Sequence, residues 1–183
     1  MKITEHVLSG LLEFTPRLFT DERGTFYETF SARLMQQAGI PADLDWVQDN
    51  QSSSQQGVLR GLHFQRPPHA QAKLVRVAQG RALDIVVDLR RDSPSFGQHH
   101  RAELSAALGN ILYVPIGFAH GFVALEDDTL FLYKCSDYYT PAAEGGLLWN
   151  DPDLGIDWGQ QIAPLVSPKD VVLPRLRDFD SPF

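Results

Sequence analysis

A mainly β fold, an antiparallel sandwich or barrel with a few short helices, is the architecture that this 183-residue chain predicts. Three observations carry that reading. Apolar segments of strand length recur along the middle of the chain, turn-forming residues separate them, and only one stretch carries the punctuation of a helix.

The first thirty residues hold short apolar runs, Val7-Leu8, Leu11-Leu12 and Leu18-Phe19, before a turn at Asp21-Glu22-Arg23-Gly24. Residues 25–30 then alternate with the period of a strand, which puts Phe26 and Glu28 on one face and Arg23-Gly24 at the turn feeding it. Residues 31–38 read as a short helix, with Ser31 as the cap, Leu34 and Ala38 one turn apart, and Gly39 and Pro41 closing it. After the breaker Arg66-Pro67-Pro68-His69, residues 74–77 end at Gln79-Gly80, and residues 82–89 end at Arg91-Asp92-Ser93-Pro94. Residues 101–104 and 111–114 are separated by Gly109-Asn110, and residues 121–125 turn at Glu126-Asp127-Asp128 into 130–135. Leu130 to Tyr133 is apolar at both parities, so the outer face of that strand is expected to meet another sheet or another subunit. The tail after Thr140, rich in Pro, Gly and Asp and carrying Trp149 and Trp158, reads as ordered loops and a turn of helix wrapped on the barrel.

The length predicts one domain over residues 1–183, with a substantial core. The 43% apolar and 21% charged residues are the proportions of a soluble globular protein. No apolar run approaches the roughly 18 residues of a membrane span. The start Met1-Lys2-Ile3-Thr4-Glu5-His6 lacks a secretory pattern and the single Cys135 has no intrachain partner, so a reducing cytoplasm is the expected location. A net charge of −7 argues against nucleic acid as a partner. An anionic ligand must then be caught by local cations, for which Arg23, Arg60, Lys73 and Lys169 are the candidates.

The stretch from Gln48 to Gln65 packs amides, hydroxyls, one guanidinium and one imidazole around two glycines, the profile of a site in an otherwise apolar scaffold. Arg60 and His63, three residues apart, would face opposite ways on a regular strand, unless Gly61 opens a bulge. Gly109 followed by Pro115-Ile116-Gly117-Phe118-Ala119-His120 resembles the second signature of the cupin barrels, which implies a jelly roll with His120 at its mouth. In the first signature, metal-binding cupins carry two histidines one residue apart and then a glutamate. Here His63 is followed by Phe64-Gln65, and Gln71 and Lys73 stand near the glutamate's place, so no metal is expected. An imidazole base with cations beside it suits proton abstraction next to a carbonyl, where an enolate must be stabilised. His6, His69, His99 and His100 are read as ordinary surface or satisfied histidines, and Lys73 and Tyr133 taken alone would be surface charge and core. Asp84, set between Leu83 and Ile85, needs a partner, and an imidazole is a suitable one.

A wider set of motifs runs in order over nearly the whole chain. Asp21-x-Arg23-Gly24-x-Phe26-x-Glu28-x-Phe30, Gln48-x-Asn50-x-Ser52, Gly57-Val58-Leu59-Arg60-Gly61-Leu62-His63-Phe64-Gln65, Lys73-Leu74-Val75-Arg76-Val77, Pro115-x-Gly117-Phe118-Ala119-His120-Gly121-Phe122 and Ser167-Pro168-Lys169-Asp170 resemble the dTDP-4-dehydrorhamnose 3,5-epimerases. The resemblance implies a cofactor-independent, metal-free cupin homodimer that takes dTDP-4-dehydro-6-deoxy-D-glucose to dTDP-4-dehydro-L-rhamnose, in dTDP-L-rhamnose biosynthesis for a cell-surface polysaccharide. It implies His63 as base, Asp170 as the carboxylate that orients it, Tyr133 as the acid on the opposite face, and Lys73 with His120 at the enolate oxygen, Asp84 holding His120.

For the nucleotide it implies Arg23 and Arg60 on the diphosphate, with Gln48, Asp49, Asn50, Glu28, Glu144 and Lys169, and aromatic residues among Phe19, Phe26 and Tyr138 around the base; Tyr138 and Tyr139 are adjacent, and only one of them can face the base. Part of each site would come from the partner subunit, through the strand from Arg23 to Glu28. Pro168 stands where the family often has Glu, leaving Lys169 and Asp170 in place. The alternatives are a single-carbon epimerase or ketoisomerase on the same nucleotide sugar, and a sugar-nucleotide-binding cupin without catalysis.

Overall fold

Alternating and doubly apolar runs pair into two opposed antiparallel sheets in the computed structural model, which describes residues 1–159 and 164–183. The first sheet holds β1 (Lys2–Glu5) and β2 (Leu12–Thr15); a separate hairpin of β3 (Phe19–Asp21) and β4 (Gly24–Phe26) and the helix α1 (Ala32–Gln37) follow in the chain. Then come β5 (Gln48–Ser54), β6 (Val58–Gln65), β7 (Lys73–Gln79), β8 (Arg81–Asp88), β9 (His99–Ser105), β10 (Ile111–Val114), β11 (Phe118–Ala124), β12 (Thr129–Cys135), β13 (Glu144–Gly146) and β14 (Leu165–Val166). The sheet orders are β1-β2-β10-β7-β12-β5 and β13-β6-β11-β8-β9, with β14 added in parallel to β6. This is a cupin-type jelly roll. Among the described residues no helix is long and apolar enough to cross a membrane.

The inward faces interdigitate as one core. Val75, Val77, Leu112, Val114 and Phe131 of the first sheet meet Ala82, Val86, Leu104, Phe118 and Phe122 of the second. Phe122 and Phe131 stack with ring centroids 3.9 Å apart. Strands apolar on both faces bury the outer face too. Behind the second sheet, Leu83, Ile85, Val87, Ala119 and Val123 pack under the tail residues Leu147, Leu154 and Trp158. Behind the first, Leu12, Phe14, Leu74, Ile111 and Tyr113 pack under Met35 of α1 and Ile40. The tail is therefore structural cladding: the short 3-10 turns Pro141–Ala143, Asp170–Val172 and Leu176–Asp178 carry it back across the sheet.

Two local expectations change. Ser31 stands at the N-cap of α1 but makes no side-chain capping bond, its carbonyl accepting from Met35 N–H instead. The strand expected over residues 25–30 stops at Phe26, because among the described residues β4 pairs with β3 alone and no third strand continues the ladder.

Candidate active site

The site lies between the sheets, where a cavity of about 760 Å³ opens, within the span of about 300–1,000 Å³ usual for small-ligand sites. Strand parity decides which side chains reach it. Gln48, Asn50 and Ser52 of β5 line it, while Asp49 points to the other face and pairs with Lys134 at 2.7 Å. Lys73 enters from β7, His120 from β11, and Tyr133 and Cys135 from β12.

Arg60 and His63 both line the cavity, and a bulge makes that possible. Between the pairs His120↔His63 and Phe122↔Arg60, β11 advances two residues while β6 advances three. The extra residue falls at Gly61-Leu62. Gly61 sits at φ +122°, and a Cβ there would lie 2.6 Å from Gly121 Cα and 2.8 Å from His120 O, so only glycine fits.

The bulge also places a hydrogen-bonded pair. His63 Nε2 lies 2.7 Å from Asp170 Oδ1, and the second carboxylate oxygen accepts from Gly61 N–H at 3.4 Å. Asp170 opens its 3-10 turn on the returning tail and is 2% exposed. Burial alone would raise its pKa; the hydrogen bond and charge of His63, with the Gly61 N–H, hold it below the usual carboxylate range. A carboxylate only accepts, so Nε2 carries a proton, and in the neutral ring Nδ1 keeps its lone pair.

A second pair lies beside the first. His120, the cross-strand partner of His63, has Nε2 2.8 Å from Asp84 Oδ2. Asp84 is fully buried, and its other oxygen has no partner among the described residues. Burial pushes its pKa up, opposed by His120 and Lys73. Burial lowers the pKa of Lys73, opposed by Cys135, Asp84 and Glu144. Tyr133, on the sheet opposite His63, is pushed up by burial, with Arg60 and Lys169 acting against this. The set can remove a proton beside a carbonyl, hold the resulting oxyanion against a cation, and deliver a proton from the other sheet. Among the described residues no group of three or more His, Cys, Asp or Glu side chains is placed to share a metal ion.

At the mouth, Lys169 Nζ donates to Glu144 Oε1 at 2.5 Å and Tyr139 Oη donates to Glu144 Oε2 at 3.0 Å. Tyr139 lines the cavity, whereas its neighbour Tyr138 is 63% exposed and stands outside the lining. The hairpin residues stand outside it too. Phe19 and Phe26 face each other across β3 and β4 at 52% and 73% exposure, and Arg23 pairs with Asp21 of its own turn. Glu28 is exposed just beyond the hairpin. Of the adjacent pair Tyr138 and Tyr139, it is Tyr139 that faces the cavity, and Ser52, present in the motif but given no role there, lines it as well. Parity along β5 was the available signal for Ser52, and for setting Asp49 apart.

A sequence model of the family described as dTDP-4-dehydrorhamnose 3,5-epimerase matches residues 5–178. The chain belongs to that family. A dTDP-4-dehydrorhamnose 3,5-epimerase from Pseudomonas aeruginosa is 48% identical over 171 residues, 93% of each chain. The crystal structure of a dTDP-6-deoxy-D-glucose-3,5-epimerase from Legionella pneumophila, in complex with dTDP-4-keto-L-rhamnose, matches with a TM-score of 0.93 at 41% identity, covering 98% of this chain and 94% of that one. A 3'-monoepimerase from Streptomyces bikiniensis, in complex with dTDP-quinovose, matches with a TM-score of 0.90 at 35% identity over 94% of this chain and 87% of that one. Within the dTDP-4-dehydrorhamnose 3,5-epimerase family, then, the jelly roll is shared by proteins named for one inverted carbon and for two, and the reaction has to be argued from the site.

Proposed function

We propose that the chain is a dTDP-4-dehydrorhamnose 3,5-epimerase that converts dTDP-4-dehydro-6-deoxy-D-glucose to dTDP-4-dehydro-L-rhamnose, working in the cytoplasm as one domain over residues 1–183. The observation that carries the reading is the His63–Asp170 pair and Tyr133 on opposed sheets of one cavity, which Lys73 and His120 also line. His63 Nδ1 takes the proton from the carbon beside the C4 ketone. The electron pair of that C–H bond becomes the carbon–carbon double bond of an enolate, and the carbonyl pair moves to oxygen. Lys73 and His120, the latter held by Asp84, stabilise the oxyanion. Tyr133 then protonates the same carbon from the opposite face, the enolate collapses to the ketone, and solvent returns a proton to Tyr133 as His63 loses one. The cycle runs at C5 and at C3, because both flank the same ketone and lie within reach of the same oxyanion site.

Arg60, exposed at the mouth beside Gln48, Asn50, Glu144 and Lys169, takes the diphosphate and nucleoside portion; a planar guanidinium binds phosphate oxygens in pairs. Phe19, Arg23, Phe26 and Glu28 do this for the neighbour. Their hairpin leaves large aromatic surface uncovered on its own chain, which supports a homodimer whose cavities are completed across the interface.

Proton NMR of dTDP-4-dehydro-6-deoxy-D-glucose in deuterated water with the chelator-treated protein tests the proposal. Deuterium is expected at both C3 and C5. Entry at one carbon alone would select a single-carbon epimerase like the Streptomyces protein, and no entry would leave a binding cupin.

A further inference from the structure

Residues 136–140, between β12 and the 3-10 turn at Pro141–Ala143, have no regular ladder, yet they carry Tyr139 to the cavity mouth. Their backbone groups still need partners. Ser136 N–H and Tyr138 N–H go to Ala72 O and Asp137 Oδ1, Thr140 O accepts from Ala143 N–H, and three glutamine amides supply four more. Gln71 Nε2 donates to Asp137 O at 2.7 Å, and Gln48 Oε1 accepts from Tyr139 N at 2.8 Å. Gln65 does most: its Nε2 donates to His69 O at 2.8 Å and to Tyr138 O at 3.1 Å, while its Oε1 accepts from Thr140 N at 2.7 Å.

Gln65 is 4% exposed and lies two residues beyond His63 on the same face of β6. Every bond of its amide goes to backbone, one to His69 and the other two to the residues on either side of Tyr139. No other side chain does that from this position. A carboxylate has no donor for the two carbonyls, and an apolar chain has neither donor nor acceptor. Through Tyr139 the brace continues to Glu144 and Lys169 at the mouth.

We propose that Gln65 is a positioning residue that fixes Tyr139 and thereby sets affinity for the nucleoside end of the substrate, apart from the diphosphate and the reacting sugar. The inference rests on the epimerase reading. Loss of buried hydrogen bonds of this kind corresponds to about 10- to 100-fold in an equilibrium constant.

The test is calorimetric titration of dTDP and of inorganic pyrophosphate against wild type, Gln65→Glu, Gln65→Met and the half-buried Gln71→Met, with steady-state epimerisation and amide hydrogen exchange on the same proteins. In the Gln65 variants dTDP binding should weaken by about 10-fold or more while pyrophosphate binding stays within about 2-fold, with KM raised and kcat little changed. Gln71→Met should show the same split at smaller size, and it carries the test if the Gln65 variants do not fold. Protection of the Tyr139 and Thr140 amides should fall in each folded variant while that of β8 is kept. Equal losses for dTDP and pyrophosphate, a fall in kcat at constant KM, or unchanged protection at Tyr139 and Thr140 would overturn the inference. Wild type that binds no dTDP defeats the epimerase reading instead, and the amide protection then decides the brace by itself.

Discussion

Asp170→Asn isolates the contribution of the carboxylate to the base. The substitution keeps the size of a side chain that is 3% exposed and leaves an oxygen able to accept from Gly61 N–H. What it removes is the negative charge 2.7 Å from His63 Nε2. A hydrogen bond to a charged group contributes about 1.5–3 kcal/mol, so the imidazolium formed as the proton leaves carbon loses about 10- to 150-fold in rate. Asparagine can also turn its amide toward Nε2. That favours the tautomer with the proton on Nδ1, which cannot act as a base on the cavity side; the corresponding change in a serine protease triad costs about 10,000-fold. The expected loss in kcat is therefore about 100- to 10,000-fold, with KM within about 3-fold. Deuterium wash-in at C3 and C5 in deuterated water measures it directly, with a thermal melt to confirm that the variant is folded. A kcat within about 10-fold of wild type, or a loss confined to KM, would refute the assignment of Asp170 to the base.

Three further outcomes follow from the same geometry. Tyr133→Phe should keep deuterium exchange but lose about 100-fold or more of the inverted product, since His63 can return a deuteron only to the face from which it took the proton; unchanged product formation would remove Tyr133 from its role. Lys73→Met should lower kcat by about 100-fold or more, and in wild type the loss of the Lys73 charge should begin below the ordinary lysine pKa, because burial lowers it. A pH profile of kcat that stays flat through the lysine range would contradict this. Away from the site, buried Asp88 accepts from Arg90, Ser93 and Ser95, and though burial opposes them these bonds hold its pKa at about 2, against 3.8. Its folded value is depressed, so its contribution is fully present above the unfolded pKa and disappears as pH falls through about 2. Asp88→Asn should cost about 2 kcal/mol at neutral pH and progressively less below pH 4 in urea melts; a constant difference across that range would contradict the sign.

The apolar strands were legible because their pattern and their burial coincide. β10 has the bounds read from sequence, and the doubly apolar β12 has Phe131 in the core between the sheets. β5 was not legible as a strand. Gln48 to Ser54 is polar throughout, and it forms a strand because its backbone pairs with β12 at the edge of the first sheet while its inward side chains face a cavity in place of a core. Strand propensity measures fit to a half-buried apolar surface, and this half-buried surface is polar. The cap at Ser31 and the early end of β4 were decided by partners rather than by residue type.

Many of the residues that line the candidate cavity could be named from the sequence, but their geometry could not. Whether Arg60 and His63 share a face depends on one extra residue in β6, and sequence can only mark Gly61 as permitting it. The structure adds the reason: Gly61 and Gly121 meet backbone to backbone, so the two glycines that look like loosening elements in the sequence are what lets the strands close around a bulge. Asp170 reaches His63 from 107 residues away, and no periodicity links them; only the family resemblance pointed there. The choice between Tyr138 and Tyr139 lay outside pattern altogether, because the segment that carries them has no period of its own and takes its conformation from the amides of Gln48, Gln65 and Gln71. Gln65 was quoted in the motif for its place after His63. Its physical content is that one strand delivers His63, the proposed base, and two residues later anchors the irregular segment at the cavity mouth, so the proposed chemistry and recognition share a single rigid element.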